Sequence, residues 1–286
     1  MTHAALLRSR LSGSESVLMP GVWDPLSALL AELAGFHTVF VSGFAVAGTL
    51  LGEPDIGIVD QANMADVARR VCAAAPDLCV VVDADTGYGD IREVQITTEL
   101  WESAGASGMF LEDQVWPKKC GHMDGKQVVS AEEWLEKLKT VMRTRSDIFV
   151  TARTDARAVN GLPDALERCR MARDLGVDAV FVEAPQSLSE LDEIAAALPD
   201  VVLVANMVEK GKTPLLTPSE LADRGFRLIV SPLSGLLSAT KAVADAYGRL
   251  QSFGTLRGHL DTITAFDEFT DIVGLPKHLA NDAEHR

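Results

Sequence analysis

The chain has 286 residues, 47% of them hydrophobic, and 26 lysines and arginines against 41 aspartates and glutamates give it a formal net charge of −15. That length suits two small domains or one large α/β barrel, which commonly runs to about 250 residues as a single unit. The acidic balance argues against nucleic acid, which needs a basic face, and no apolar run approaches the roughly 20 residues of a membrane span.

Residues 1–10 lack the apolar core and small-residue cleavage site of a secretory signal, so the expected location is cytoplasmic. Four scattered cysteines, Cys72, Cys79, Cys120 and Cys169, show no zinc-type spacing. In a reducing compartment structural disulfides are not expected. Cys120 alone has polar and basic neighbours; the other three read as packing residues.

Short β-branched runs alternate with longer amphipathic segments along the chain. Ser16 to Pro20 reads as the first strand, and Asp24-Pro25 then opens a helix through Leu33, with Asp24 as N-cap and Pro25 in the first turn. Thr38 to Gly43 is the second strand, followed by a helix near 61–75. Cys79 to Asp85 is the third, apolar until its last residues, as in a parallel strand buried on both faces. A helix over 91–104 leads to the fourth strand, Gly108 to Leu111, which ends at Glu112. A long, partly exposed loop follows, until the capping box Ser130-Ala131-Glu132-Glu133 starts a helix through Met142.

Strands five to eight are expected at 148–153, 179–183, 201–206 and 228–232, with a helix over 162–175 closed by Gly176. No linker divides the series, so the pattern predicts one (β/α)8 barrel over 1–286, with an N-terminal lead-in and a helical C-terminal extension at 255–286. Ser42, Asp83, Asp85, Glu112, Arg153, Glu183 and Asn206 all end predicted strands, on the face where such barrels assemble their sites.

Asp83-Ala84-Asp85 puts two carboxylates on one side of an extended chain, a hard-oxygen pair suited to Mg²⁺ or Mn²⁺. A pair of loop-capping aspartates is the plainer alternative. Glu112 and Glu183 could orient metal-bound waters, or pair with Arg153 or a lysine. Arg153 offers a planar donor fork for a substrate carboxylate, unless a structural ion pair consumes it. Asn206 could hydrogen-bond a substrate oxygen, and backbone amides near Ser42 and Gly43 could receive a further carboxylate. Between Glu112 and His122 lie Lys118, Lys119 and Cys120. Their positive charge is expected to favour the Cys120 thiolate, making it a proton donor rather than an ordinary free thiol.

With those residues assembled, the chain resembles the isocitrate lyase and phosphoenolpyruvate mutase superfamily over nearly its whole length. The resemblance rests on Asp83 to Gly89, Glu112-Asp113-Gln114, Lys118 to His122, and Ala205-Asn206-Met207-Val208-Glu209. The lysine-lysine-cysteine-glycine-histidine run is that of its C–C bond lyases; the mutases typically carry an asparagine and serine near the cysteine position. Such membership implies Mg²⁺-dependent retro-Claisen cleavage of a 2-hydroxy dicarboxylate. Asp85 would bind the metal with Asp83, Glu112 and Glu183 around it, and the substrate's hydroxyl and C1 carboxylate would chelate it. Cys120 would protonate the enediolate once the loop carrying Lys118, Gly121 and His122 closes, and would stand away from the site until then. The base is left open among Glu112, Tyr88 and a metal-bound hydroxide.

Methylisocitrate lyases usually carry an arginine just after the eighth strand, for a third carboxylate, and none occurs from Ser231 through Pro232 to Leu237. The run Asn206 to Glu209 is similar to the petal-death type of these lyases. An alkyl-substituted malate is therefore expected over a tricarboxylate. Methylisocitrate lyase, oxaloacetate hydrolase, which often has serine at the Pro232 position, carboxyphosphonoenolpyruvate mutase and a non-catalytic binding protein are the alternatives. Membership also implies a homotetramer in which the last barrel helix is exchanged between neighbours. The apolar patterns at 236–250 and 260–273 fit that exchange and fit equally a helix covering its own barrel.

Overall fold

The structure, a computed structural model, describes residues 1–13 and 15–284. Eight parallel strands close a barrel in sequence order: β1 (Val17–Val22), β2 (Thr38–Val41), β3 (Cys79–Asp83), β4 (Gly108–Glu112), β5 (Phe149–Thr154), β6 (Ala179–Val182), β7 (Val202–Asn206) and β8 (Phe226–Ser231). β1 pairs with β8 through four register positions, Val17 with Leu228 to Pro20 with Ser231, which settles closure over an open sheet. This is the expected (β/α)8 barrel. The helices Pro25–Leu33, Ile91–Ala104 and Leu162–Leu175 take the bounds expected from the sequence, and Asp24 and Asp90 each form a capping box.

Period-two alternation sorts the strand residues into two cores. Val80, Val82, Met109, Leu111, Val150, Ala152, Val180 and Ala205 face outward and pack under the helices. Val81, Phe110, Phe149, Phe181, Val204 and Val230 point inward and fill the barrel. One pleat further along the inward rows come Asp83, Glu112, Glu183, Asn206 and Pro232, and Arg153 follows Phe149 by two pleats, past Thr151. Alternation therefore delivers polar groups from several strands to one level at the C-terminal mouth.

The lead-in is a helix, His3–Leu11, which periodicity did not flag; Thr2 caps it, its hydroxyl accepting from the Ala5 amide at 3.1 Å. Leu7 and Leu11 join the inner core beside Met19, Phe149 and Leu228. Arg8 ties the helix to Asp178 at 2.7 Å and Asp147 at 2.8 Å, just ahead of β6 and β5. The helix thus covers the N-terminal end of the barrel.

The last barrel helix, Ser234–Phe253, is 20 residues long and has no buried residue. Leu237, Val243, Tyr247, Leu250 and Phe253 all stand exposed along it. The region expected as one apolar segment at 260–273 is a short turn, Leu260–Thr262, then helices Phe266–Ile272 and Leu275–Glu284. No helix among the described residues is long and apolar enough to cross a membrane.

Candidate active site

A cavity opens at the C-terminal mouth. Its floor is aromatic: Phe40 and Phe110 lie 4.9 Å apart between ring centroids, and Phe110 and Phe181 5.9 Å. Ser42, Asp83, Cys120, Gly121, His122, Arg153, Glu183, Asn206 and Pro232, all expected from the sequence, line it. Asp85, Glu112, Lys118 and Tyr88 are buried or nearly so beside it, and Gly43 abuts the aspartates.

The two aspartates converge, though not by strand alternation as expected. β3 stops at Asp83, and Asp85 adopts a left-handed backbone, φ 45°. Hydrogen bonds hold that turn, from Gly87 N to Ala84 O at 2.8 Å and from Glu112 N to Asp85 O at 2.9 Å. Tyr88 (φ 62°) and Ala184 (φ 54°), the latter next to Glu183, share the left-handed conformation, so backbone strain of about 1–3 kcal/mol each is concentrated on this rim.

A Cβ at Gly43 would lie 3.0 Å from Asp83 Oδ2 and 3.5 Å from Asp85 Oδ1. Glycine keeps that point open, and the two carboxylates facing it could hold a small hard cation. No cluster of three or more histidine, cysteine or acidic ligands occurs among the described residues. Two carboxylates suffice for Mg²⁺, which keeps several waters, so the residues fit it. Burial lifts the Asp85 carboxyl to about 7 against the pull of Lys118.

Arg153 lies 5.6 Å over the Phe181 ring and is ringed by carboxylates. It meets Asp155 at 3.0 Å, Glu112 at 3.2 Å and Glu183 at 3.2 Å. The Glu112 pair follows from register, since those two residues are direct partners across β4 and β5. Its fork is thus engaged with the protein's own carboxylates, the plainer of the two sequence expectations, while it still lines the cavity. Burial pushes the Glu112 carboxyl well above its ordinary range despite Arg153, and Glu112 Oε1 has no partner. Burial likewise drives the Tyr88 hydroxyl well above its usual value, with Asp85 and Asp83 adding to the effect. Asn206 Nδ2 donates to Glu183 at 3.3 Å, leaving Asn206 Oδ1 buried and unpartnered.

The loop between β4 and the helix Ala131–Thr144 lies over this cavity, so Cys120 lines it directly. The expectation that Cys120 stands away from the site is not met, because the loop is fastened. At its base Gln114 bridges Val128, and the Gln114 side chain holds the Lys119 backbone at 2.8 and 3.0 Å. Cys120 N donates to Asp55 O at 3.1 Å. Lys118 reaches down to Asp55 at 2.5 Å and Asp85 at 2.7 Å.

Those contacts also overturn the expected thiolate. Lys118 spends its charge on two aspartates, Lys119 Nζ donates to Gly125 O, and burial lowers the His122 pKa. Burial consequently pushes the Cys120 thiol up to about 11, and it stays protonated at neutral pH. The Lys212 amide donates to His122 Nδ1 at 3.0 Å, which leaves the imidazole proton on Nε2, 3.5 Å from Glu183 Oε1. Sequence reasoning missed Asp55, Asp155 and Lys126, whose importance arises only from tertiary pairing.

A family scan matches residues 7–250 to phosphoenolpyruvate phosphomutase. The petal death protein of Dianthus caryophyllus is 47% identical over 91% of this chain and 82% of its own length. The 2,3-dimethylmalate lyase of Eubacterium barkeri is 39% identical over 100% of this chain and 98% of its own. Among solved structures, oxaloacetate acetylhydrolase in complex with 3,3-difluorooxalacetate superposes with a TM-score of 0.94 at 34% identity, covering 99% of this chain and 97% of that one. A phosphonopyruvate hydrolase complex with oxalate and Mg²⁺ gives a TM-score of 0.89 at 25% identity, with 99% of each chain covered. By family match, identity and fold together, the chain belongs to the phosphoenolpyruvate mutase and isocitrate lyase superfamily.

Proposed function

We propose that the chain is a Mg²⁺-dependent lyase that cleaves the C2–C3 bond of an alkyl-substituted 2-hydroxy dicarboxylate, giving a 2-keto acid and a second carboxylate. The observation that carries this reading is the placement of a protonated thiol, Cys120, over the same cavity that the Asp83–Asp85 cradle adjoins. A divalent ion bound at the aspartates supplies electrostatic stabilisation of the substrate's oxygens. Glu112, buried with a free Oε1 and a raised pKa, is suited to take the proton of the 2-hydroxyl. Tyr88, whose hydroxyl keeps its proton, is not. As C2–C3 breaks, the electron pair remains on C3 and the thiol of Cys120 gives C3 its proton.

The lining also supports the substrate class. Phe44, Val208, Pro232 and Leu233 form an apolar wall, and Arg153 is the one arginine or lysine lining the cavity among the described residues. A third carboxylate would find no free cation there, whereas an alkyl group fits the wall. Steady-state assays of a panel of 2-hydroxy dicarboxylates with Mg²⁺ test this, with 2,3-dimethylmalate expected to lead. A preference for 2-methylisocitrate by orders of magnitude would overturn the ranking. A new C–P bond in ³¹P NMR would replace it with a mutase. Asp85→Asn should lose Mg²⁺ in titration calorimetry.

The assembly we propose is a homotetramer with the helix Ser234–Phe253 packed on a neighbour. Support comes from that helix: 20 residues with an apolar stripe, none of them buried within the chain. We place the protein in the cytoplasm, a reducing compartment in keeping with its four free cysteines.

A further inference from the structure

The loop carries a second buried lysine that the proposed chemistry does not use. The Lys126 side chain is 1% exposed, and its Nζ sits 2.6 Å from Oδ1 of Asp155, whose side chain is wholly buried. The same ammonium donates to the carbonyl oxygen of Gly121, the residue next to Cys120. Asp155 passes the connection on. Its other oxygen accepts from Arg153 Nε at 3.0 Å, and its amide donates to Asp113 at 2.8 Å. Arg153 in turn meets Glu112 and Glu183 on the barrel rim.

A charge taken this far from water is retained only where geometry and hydrogen bonds compensate for its desolvation. Here the compensation comes from a group outside the loop and one inside it. If the loop swung outward, Lys126 would leave Asp155 buried and half-paired. The loop's two buried lysines divide the work: Lys118 engages the aspartates Asp55 and Asp85, whereas Lys126 engages the arginine side.

We infer that Lys126 is a positioning residue, the latch that fixes the Gly121 carbonyl, and with it Cys120, against the Arg153–Asp155 corner of the barrel. Its value for turnover rests on the reading of Cys120 as the proton donor; its value for loop position does not. The test therefore reads the loop first and turnover second.

N-ethylmaleimide labelling of Cys120, followed by peptide mass mapping on the full-length protein with Mg²⁺ present, reports how often the loop opens. Lys126→Met should raise that labelling rate at least ~10-fold, since the closed state loses its anchor. Labelling at the wild-type rate in a folded Lys126→Met overturns the latch. If the single variant fails to fold because Asp155 is left as an unpaired buried charge, Lys126→Met combined with Asp155→Asn removes both charges and decides in the same way. With a cleaved substrate in hand, kcat should drop by about 10²-fold with KM little changed, the mark of a misplaced donor and not of lost binding. Faster labelling in a protein that cleaves no hydroxy dicarboxylate would retain the latch and remove the proposed reaction. Unchanged labelling alongside wild-type cleavage would do the reverse.

Discussion

Replacing Gly121 by alanine adds one methyl group at the point where the loop meets the barrel. An ideal Cβ there would lie 2.5 Å from Glu183 Cδ and Cγ and 2.6 Å from Arg153 Nη2. Carbon atoms in contact sit about 3.5–4.0 Å apart, so roughly 1 Å must be found somewhere. The rim will not supply it, because Glu183 is held by Arg153 and Asn206, and Arg153 by three carboxylates. The loop gives way instead, carrying Cys120 with it. A displacement of about 1 Å in a reacting group costs about 10²-fold in rate, equivalent to about 2.7 kcal/mol of barrier. The assay is Mg²⁺-dependent release of 2-keto acid, read in a coupled reduction, with a thermal melt on the same sample. The expected result is a fall in kcat of that order with Tm within a few degrees. Activity within threefold of wild type would refute the claim that the Gly121 contact sets the position of Cys120.

Cys120→Ser should reduce cleavage by about 10²–10⁴-fold while Mg²⁺ titrates as in wild type; unchanged turnover removes the thiol from the mechanism. Asp178, clasped by Arg8 and Arg145, has its pKa held below the ordinary 3.8; burial opposes the shift and the Arg8 hydrogen bond leads it. A depressed carboxyl stabilises the fold above its unfolded pKa and loses that contribution as pH falls through the folded value. Asp178→Asn should therefore cost about 1–3 kcal/mol at pH 7 in urea melts and progressively less below pH 4; a pH-independent gap contradicts the ion-pair account. Tyr247→Asp, at a side chain 68% exposed in the single chain, should lower the mass seen by light scattering if the helix Ser234–Phe253 docks on a neighbour. An unaltered mass would count against that docking.

The strand ends were legible because parallel buried strands read as continuous apolar runs, and the first polar residue marks the mouth. Phe110 to Glu112 and Phe181 to Glu183 show the rule: each acidic residue follows its aromatic by one pleat. The loop was legible as a collection of reactive groups but not as a structure. Nothing local shows that Lys118 turns inward to Asp55 and Asp85 while Lys119 stays at the surface. The error about the thiolate followed, since charge adjacent in sequence was taken as charge adjacent in space. Asp155 and Lys126 escaped notice for the same reason: a buried ion pair across 29 residues has no periodicity to announce it. The helix His3–Leu11 carried a weaker signal, a threonine cap and leucines at positions 7 and 11, that a search for strands passed over.

The aromatic floor has a kinetic consequence. Side chains fill the barrel beneath Phe110 and Phe181, so the cavity has a single mouth, and the Cys120 loop spans it. Under the proposed cleavage one substrate enters and two fragments leave by the same route, in order. A fragment seated against Phe110 and Phe181 would depart last and meet the free protein that the next substrate must also meet. Product inhibition should accordingly be competitive for the deeper fragment and noncompetitive for the other, and the loop must lift at least once in every turnover.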